Sequence, residues 1–436
     1  MAAVEPLEQL QPVEARTIIE HLRRGSVPVE QVPFFTVGRE RWLSIIEDDL
    51  VHYIAASGAK VRFLNGDYGD GKTHFLSIIQ HLAARTGFAV SFVVLTREVP
   101  MHKFELVYRE IVSRLSTASG ARGIRGLIAR WLDTLQPHLG EAQDEAARTA
   151  HTEALAEALR GLEGMDLNFA NGVIALVQNR FRPLAEAETP EQREHERHTL
   201  YQWFEGSRLS KTELRPLQIF ESLNKSNSKR LLVSLIQFLR YLGYQGLLLL
   251  LDELETVLAQ SATVRNAAYE NVRLLIDNAE QAHHLHVFFS IIPDVILSEK
   301  GFKSYDALWS RVRSVGEGSR LNYRSVVIDL HRTPLQAAEL LELGRRLRHI
   351  HELAYRWQAE AIVTDAFIQQ VCETQQRMGL LPEVRLFIKQ IIRYLDMAEQ
   401  DGTLEGVDLT DQVVATQKEI AQEKEAQLRP VWDRTE

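Results

Sequence analysis

Residues 66–73 read GDYGDGKT, which fits the G-x-x-x-x-G-K-[ST] pattern of a phosphate-binding loop. The string constrains the fold because it works only between a strand and a helix. Ahead of it, Val61, Phe63 and Leu64 read as a short buried strand; behind it, Phe75, Leu76, Ile78, Ile79 and Leu82 recur at helical spacing. Gly66, Gly69 and Gly71 let the backbone turn tightly, so that successive N–H groups face phosphate oxygens. A helix beginning near Lys72 adds the positive end of its dipole. Lys72 is expected to reach the β- and γ-phosphates of ATP, and the Thr73 hydroxyl to ligate Mg²⁺. Asp67, Tyr68 and Asp70 inside the loop, and His74 just behind it, are expected to line the same nucleotide. A glycine-rich surface turn would match the string by chance, but it would not need the flanking strand and helix.

The second chemical signal is GLLLLLDELE at 246–255. Five leucines ending in two carboxylates describe a buried strand running out at its carboxyl end, where open α/β sheets place ligands. This is the Walker B pattern. Asp252 is expected to hold Mg²⁺ and Glu253 to polarise the attacking water. Neighbouring positions at a strand end aim differently, so one carboxylate can meet the metal and the other the nucleophile. Acidic capping of a strand is the bland alternative, and the loop upstream weighs against it. Glu255 reads either as support for that pair or as a helix N-terminal acid.

With 436 residues, 45% of them hydrophobic, length suggests two or three domains. Buried strands are expected near 61–65, 89–95, 247–252, 286–292 and 325–330, giving an α/β fold with a five-stranded parallel sheet. Residues 1–101 then carry an N-terminal helix and the first part of a P-loop core. Residues 102–240 form a helical insertion, 241–333 the second part of the core, and 334–436 a C-terminal helical lid. The charged stretch at 185–198 reads as a solvated loop or exposed helix start, and the tail after Gln417 as frayed. The basic and aromatic stretch at 345–357 reads more cheaply as helix packing than as a DNA contact. The single cysteine, Cys372, excludes an internal disulfide and sits in an apolar helical pattern, as a core residue would. Residues 1–15 lack a basic segment and an apolar run, and Leu247–Leu251 is too short to span a bilayer. A cytoplasmic protein without a membrane partner is expected. The net charge of −9 weighs against a generally basic, nucleic-acid-coating surface but leaves a local patch open.

Several stretches resemble AAA+ ATPases. FFTVGRERW at 34–42 resembles the turn that lines the adenine pocket in such proteins, which implies that Val37 and Gly38 touch the base. The strand after Walker B carries a γ-phosphate sensor in AAA+ proteins; here Ser290 is the polar side chain at that place. The resemblance also implies an arginine finger, Arg311 or Arg313 of ALWSRVRS, reaching a neighbouring subunit's nucleotide. In the lid, Arg385, one turn into a helix opening at Pro382, matches the arginine that reaches the γ-phosphate.

Taken together, the N-terminal helix leading to VPVEQVPFFTVGRE, the GDYGDGKTHFL loop, VVLTREVPMHKFELVYREI and QGLLLLLDELE resemble the BrxC/BrxD family of ATP-binding proteins of BREX-type phage-exclusion systems, and its shorter, BrxD-like members above all. The resemblance covers most of the chain and is strongest at 12–110 and 230–300. It implies an AAA+/ORC-like P-loop NTPase that hydrolyses ATP, forms a homo-oligomer and acts on DNA with a helicase or other defence-system protein. A nucleotide-dependent switch or adaptor with negligible turnover is the rival, and a structural DNA-binding protein with incidental ATP a third.

Overall fold

The structure, a computed structural model, describes residues 5–140, 144–184, 188–277, 283–313, 321–380 and 383–428; of 424–428 it describes the backbone alone. Pro382, Ser314, residues 185–187 of the charged stretch and 429–436 of the tail lie outside the described residues.

Six strands form one sheet: β1 (Ala59–Asn65), β2 (Ala89–Val94), β3 (Leu115–Ser116), β4 (Leu247–Asp252), β5 (Leu285–Ile291) and β6 (Val327–Asp329). Their order is β3-β2-β4-β5-β1-β6. Five are parallel, and β3 pairs antiparallel to β2 through Ser91↔Leu115. The expected five-stranded sheet is corrected to six. β3 is two residues long, too short for a period-2 pattern, and the turn through Gly120 that follows it brings Arg122 back beside Ser116.

Every residue of β4 is buried, because β2 and β5 flank it and helices cover both faces. Alternation sorts its side chains. Leu247, Leu249 and Leu251 enter one hydrophobic cluster, Leu248 and Leu250 the other. The first cluster joins that face of the sheet to helices between 104 and 241, among them Phe104–Ser113 and Ser228–Tyr241. The second joins the opposite face to the N-terminal helix Pro12–Arg23, the loop helix Lys72–Arg85 and the helices Ala337–Tyr355, Asp365–Arg377 and Val384–Asp401. Each leucine contributes about 1.5–3 kcal/mol by leaving water, an upper bound.

The charged stretch becomes helix Pro190–Phe204, opened by a capping box between Thr189 and Gln192. The tail is helical too, over Leu409–Leu428. Within 345–357 Arg348 and His351 are buried, Arg348 paired with Asp365 and His351 hydrogen-bonded to Asp396, and Trp357 donates to His351 Nδ1, whereas Arg345, His349 and Arg356 are exposed. Cys372 is buried. Among the described residues no helix is long and apolar enough to cross a membrane.

Candidate nucleotide site

The strand order places β5 between β1 and β4. The carboxyl ends of these three strands therefore bring the loop at 66–71, Asp252 and Ser290 together. A cavity of about 400 Å³ opens there, walled by the loop, the turn after the N-terminal helix and the C-terminal helices Ala337–Tyr355 and Val384–Asp401. Apolar walls come from Val27, Phe35, Val37, Leu335 and Val384.

The loop is shaped by two positive-φ glycines, Gly69 (+94°) and Gly71 (+85°), the second capping the helix that starts at Lys72. A Cβ on Gly69 would come 3.3 Å from Arg385 Cβ, so the loop and helix Val384–Asp401 touch at a point that only glycine fits easily. Lys72 is buried, and its Nζ donates to the carbonyls of Gly66 (2.8 Å) and Asp67 (3.1 Å). The same ammonium lies 5.3 Å from the centre of the Tyr68 ring.

Across the cavity floor, Thr73 Oγ1 donates to Asp252 Oδ2 at 2.8 Å. The other Asp252 oxygen accepts from Ser290 Oγ and, at 3.0 Å, from the Glu253 N–H. Ser290 is fully buried, does not line the cavity, and also accepts from the Glu253 N–H at 3.0 Å. Its hydroxyl fixes the two acids from behind and does not face the nucleotide side. Glu253 adopts a left-handed backbone (φ 63°, ψ 43°), which turns its carboxylate out of the strand direction at a cost of about 1–2 kcal/mol. Although one side of Glu253 is exposed, desolvation and then the neighbouring Asp252 push its pKa up. Glu255 also lines the cavity, is only 9% exposed, and leaves Oε2 buried without a hydrogen-bond donor. Burial pushes its pKa up to about 7, with Lys72 pulling the other way.

His74 lines the cavity from behind the loop. Thr36 donates its proton to Val32 O (2.8 Å), so at the 3.0 Å contact His74 Nε2 is the donor to Thr36 Oγ1. Burial, then Arg39, lowers the imidazole's pKa to about 4, and it stays neutral at physiological pH. Asp67, Asp70 and His331 cluster at the loop, with His331 Nε2 at 3.3 and 3.2 Å from the two carboxylates. The contacts of His331 Nε2 with the two carboxylates account for this cluster without a metal.

Other expected residues stand apart. Gly38 does not line the cavity; its backbone packs against Leu335 and against Glu339 of helix Ala337–Tyr355. Arg311 ends helix Asp306–Val312 in a salt bridge to Asp277, and Arg313, just past that helix, is exposed. Neither reaches this cavity. Arg385 does, donating Nη2 to Glu423 Oε2 (2.8 Å) while its Nε is buried without an acceptor.

Two cations in the cavity wall were not anticipated from sequence. Arg39, in a left-handed conformation, donates to the Thr333 carbonyl and hydroxyl. Lys389 is held by Glu419 (2.9 Å) and Glu423 (2.5 Å). Lys389 lies one turn beyond Arg385, which is the signal that would have found it.

A phosphate and a hard divalent ion fit this donor set. The buried Arg385 Nε–H, without an acceptor, leaves a cationic donor open to a phosphate oxygen, and the Thr73 and Asp252 oxygens lie side by side, as ligands of one Mg²⁺ would. A family model described as BREX system ATP-binding protein BrxC/D matches residues 10–413. No curated protein and no solved structure matches the chain.

Proposed function

The chain belongs to the BREX system ATP-binding protein BrxC/D family, and from that premise we propose that it hydrolyses Mg-ATP in an AAA+/ORC-like P-loop site. The observation that carries this reading is the Thr73–Asp252 hydrogen bond beside a buried Lys72 in one cavity. Lys72 is positioned by two loop carbonyls, for which phosphate oxygens compete as stronger, charged acceptors. Thr73 and Asp252 would hold Mg²⁺, which supplies neutralising charge to the phosphates when bound. Glu253 orients the attacking water, and its raised proton affinity makes it a better base than a solvated carboxylate. Ser290 acts as a positioning residue, holding Asp252 and the Glu253 backbone. Val37 offers an apolar wall to the base, and Arg385 reaches phosphate from the lid.

Beyond the site, we propose a cytoplasmic homo-oligomer in which Arg311 or Arg313 serves a neighbouring subunit's nucleotide. The proposal extends to action on DNA with a helicase or another defence-system protein, which rests on the resemblance drawn from the sequence alone. Measured turnover with Mg²⁺, with and without DNA, tests the enzyme reading. A slow rate unmoved by DNA, with ATP still driving assembly, favours the rival: a switch that holds ATP with negligible turnover. One observation leans that way, since Arg311 is closed onto Asp277 within its own chain.

A further inference from the structure

Three cations sit one turn apart on helix Val384–Asp401: Arg385, Lys389 and Arg393. Facing them on helix Leu409–Leu428 are Glu423 and Glu419. Arg385 pairs with Glu423, Lys389 with both acids, and Arg393 with Glu419 and the Thr416 hydroxyl. Only Arg385 and Lys389 also line the nucleotide cavity. Lys389 is nearly encased, with 5% of its side chain exposed, so its charge is compensated by those two carboxylates alone among the described contacts.

The helix that supplies the acids is weakly anchored. Val413 and Thr416 are buried, but beyond Thr416 no described residue of the helix is. Its described side chains beyond Thr416, residues 417–423, dock by ion pairs rather than by buried apolar groups, and ion pairs yield to a competing anion where a packed core does not.

We propose that Lys389 is a second lid ligand for the phosphates of the nucleotide, and that Glu419 and Glu423 form a latch competing with those phosphates for Lys389 and Arg385. This rests on the nucleotide reading above. A triphosphate carries more charge into the cavity than the two carboxylates can hold against, so its binding frees the second half of the C-terminal helix. ATP occupancy thereby becomes visible at the surface as release of that helix.

The test uses the full-length protein with Mg-ATP as the probe. Hydrogen exchange of amides 417–428 in the wild type is expected to rise when ATP binds. Glu419→Gln with Glu423→Gln is expected to bind ATP about fivefold or more tighter, and Lys389→Gln about fivefold weaker. Unchanged exchange in a wild type that binds ATP, or unchanged affinity in a folded double variant, overturns the latch and leaves the nucleotide site standing. No ATP binding by the wild type, or binding that survives Lys72→Ala, overturns both.

Discussion

Thr73 and Asp252 are 179 residues apart in the chain, yet the hydroxyl of one donates to the carboxylate of the other at 2.8 Å. This contact joins the loop at the end of β1 to the end of β4 across the intervening β5. Removing the hydroxyl alone should expose its role. Thr73→Ala is expected to cost about 1 kcal/mol of stability while weakening Mg-dependent ATP binding about tenfold or more. Titrations with and without Mg²⁺ check this; equal losses in both would show that Thr73 serves no metal.

Ser290 is the second partner of Asp252 and also contacts the Glu253 N–H. Ser290→Ala should leave ATP affinity within about threefold of wild type while lowering turnover about 10- to 100-fold, since it loosens the acids without touching the phosphates. A separate measurement of Kd and kcat decides. A large rise in Kd with unchanged kcat would mean that Ser290 meets the nucleotide directly.

Glu255 makes stability depend on pH. Its pKa is pushed from 4.5 to about 7 by burial, so folding favours the protonated form. Above pH 4.5 the unfolded chain releases this proton first, and stability falls as pH rises to about 7, by roughly 2–3 kcal/mol at most. Urea unfolding at pH 5 and pH 8 should show the fall in wild type and a smaller one in Glu255→Gln. Parallel profiles would place the Glu255 carboxylate in water.

Arg311 and Arg313 can be separated by mixing. Arg311 is tied to Asp277, whereas Arg313 is exposed. If the protein assembles, Arg313→Ala should lower turnover more than Arg311→Ala does. Mixing the Arg313→Ala chain with the Lys72→Ala chain should then restore part of the rate. No recovery on mixing, in particles shown by light scattering to be oligomers, would remove both arginines from a neighbour's site.

Much of this site was legible because its signals are local. The loop, its helix, and five leucines closed by two acids each announce themselves within about ten residues. β3 did not, since Leu115–Ser116 is a strand only by virtue of its pairing to β2. Helix Pro190–Phe204 was half legible: Thr189, Pro190 and Gln192 spell a capped start, but charge dominated the reading. Lys389 was legible only through Arg385, one turn before it on the same helix face, and Arg39 is a single cation in a turn with no pattern to mark it. Glu419 and Glu423 were hidden for the opposite reason, because a charged tail gives no apolar period to read. Ser290 was found by its place in the strand, but its hydrogen bonds to Asp252 and Glu253 emerge only when β4 and β5 lie side by side.

The most direct measurement is of Glu253→Gln, for ATP affinity and for single-turnover hydrolysis in the same preparation. The substitution keeps the size of the side chain and removes its proton affinity. The expected result is ATP binding within about threefold of wild type with hydrolysis reduced about 100-fold or more. Hydrolysis close to wild type in a variant that binds ATP normally would contradict the assignment of this cavity as a carboxylate-assisted ATPase site.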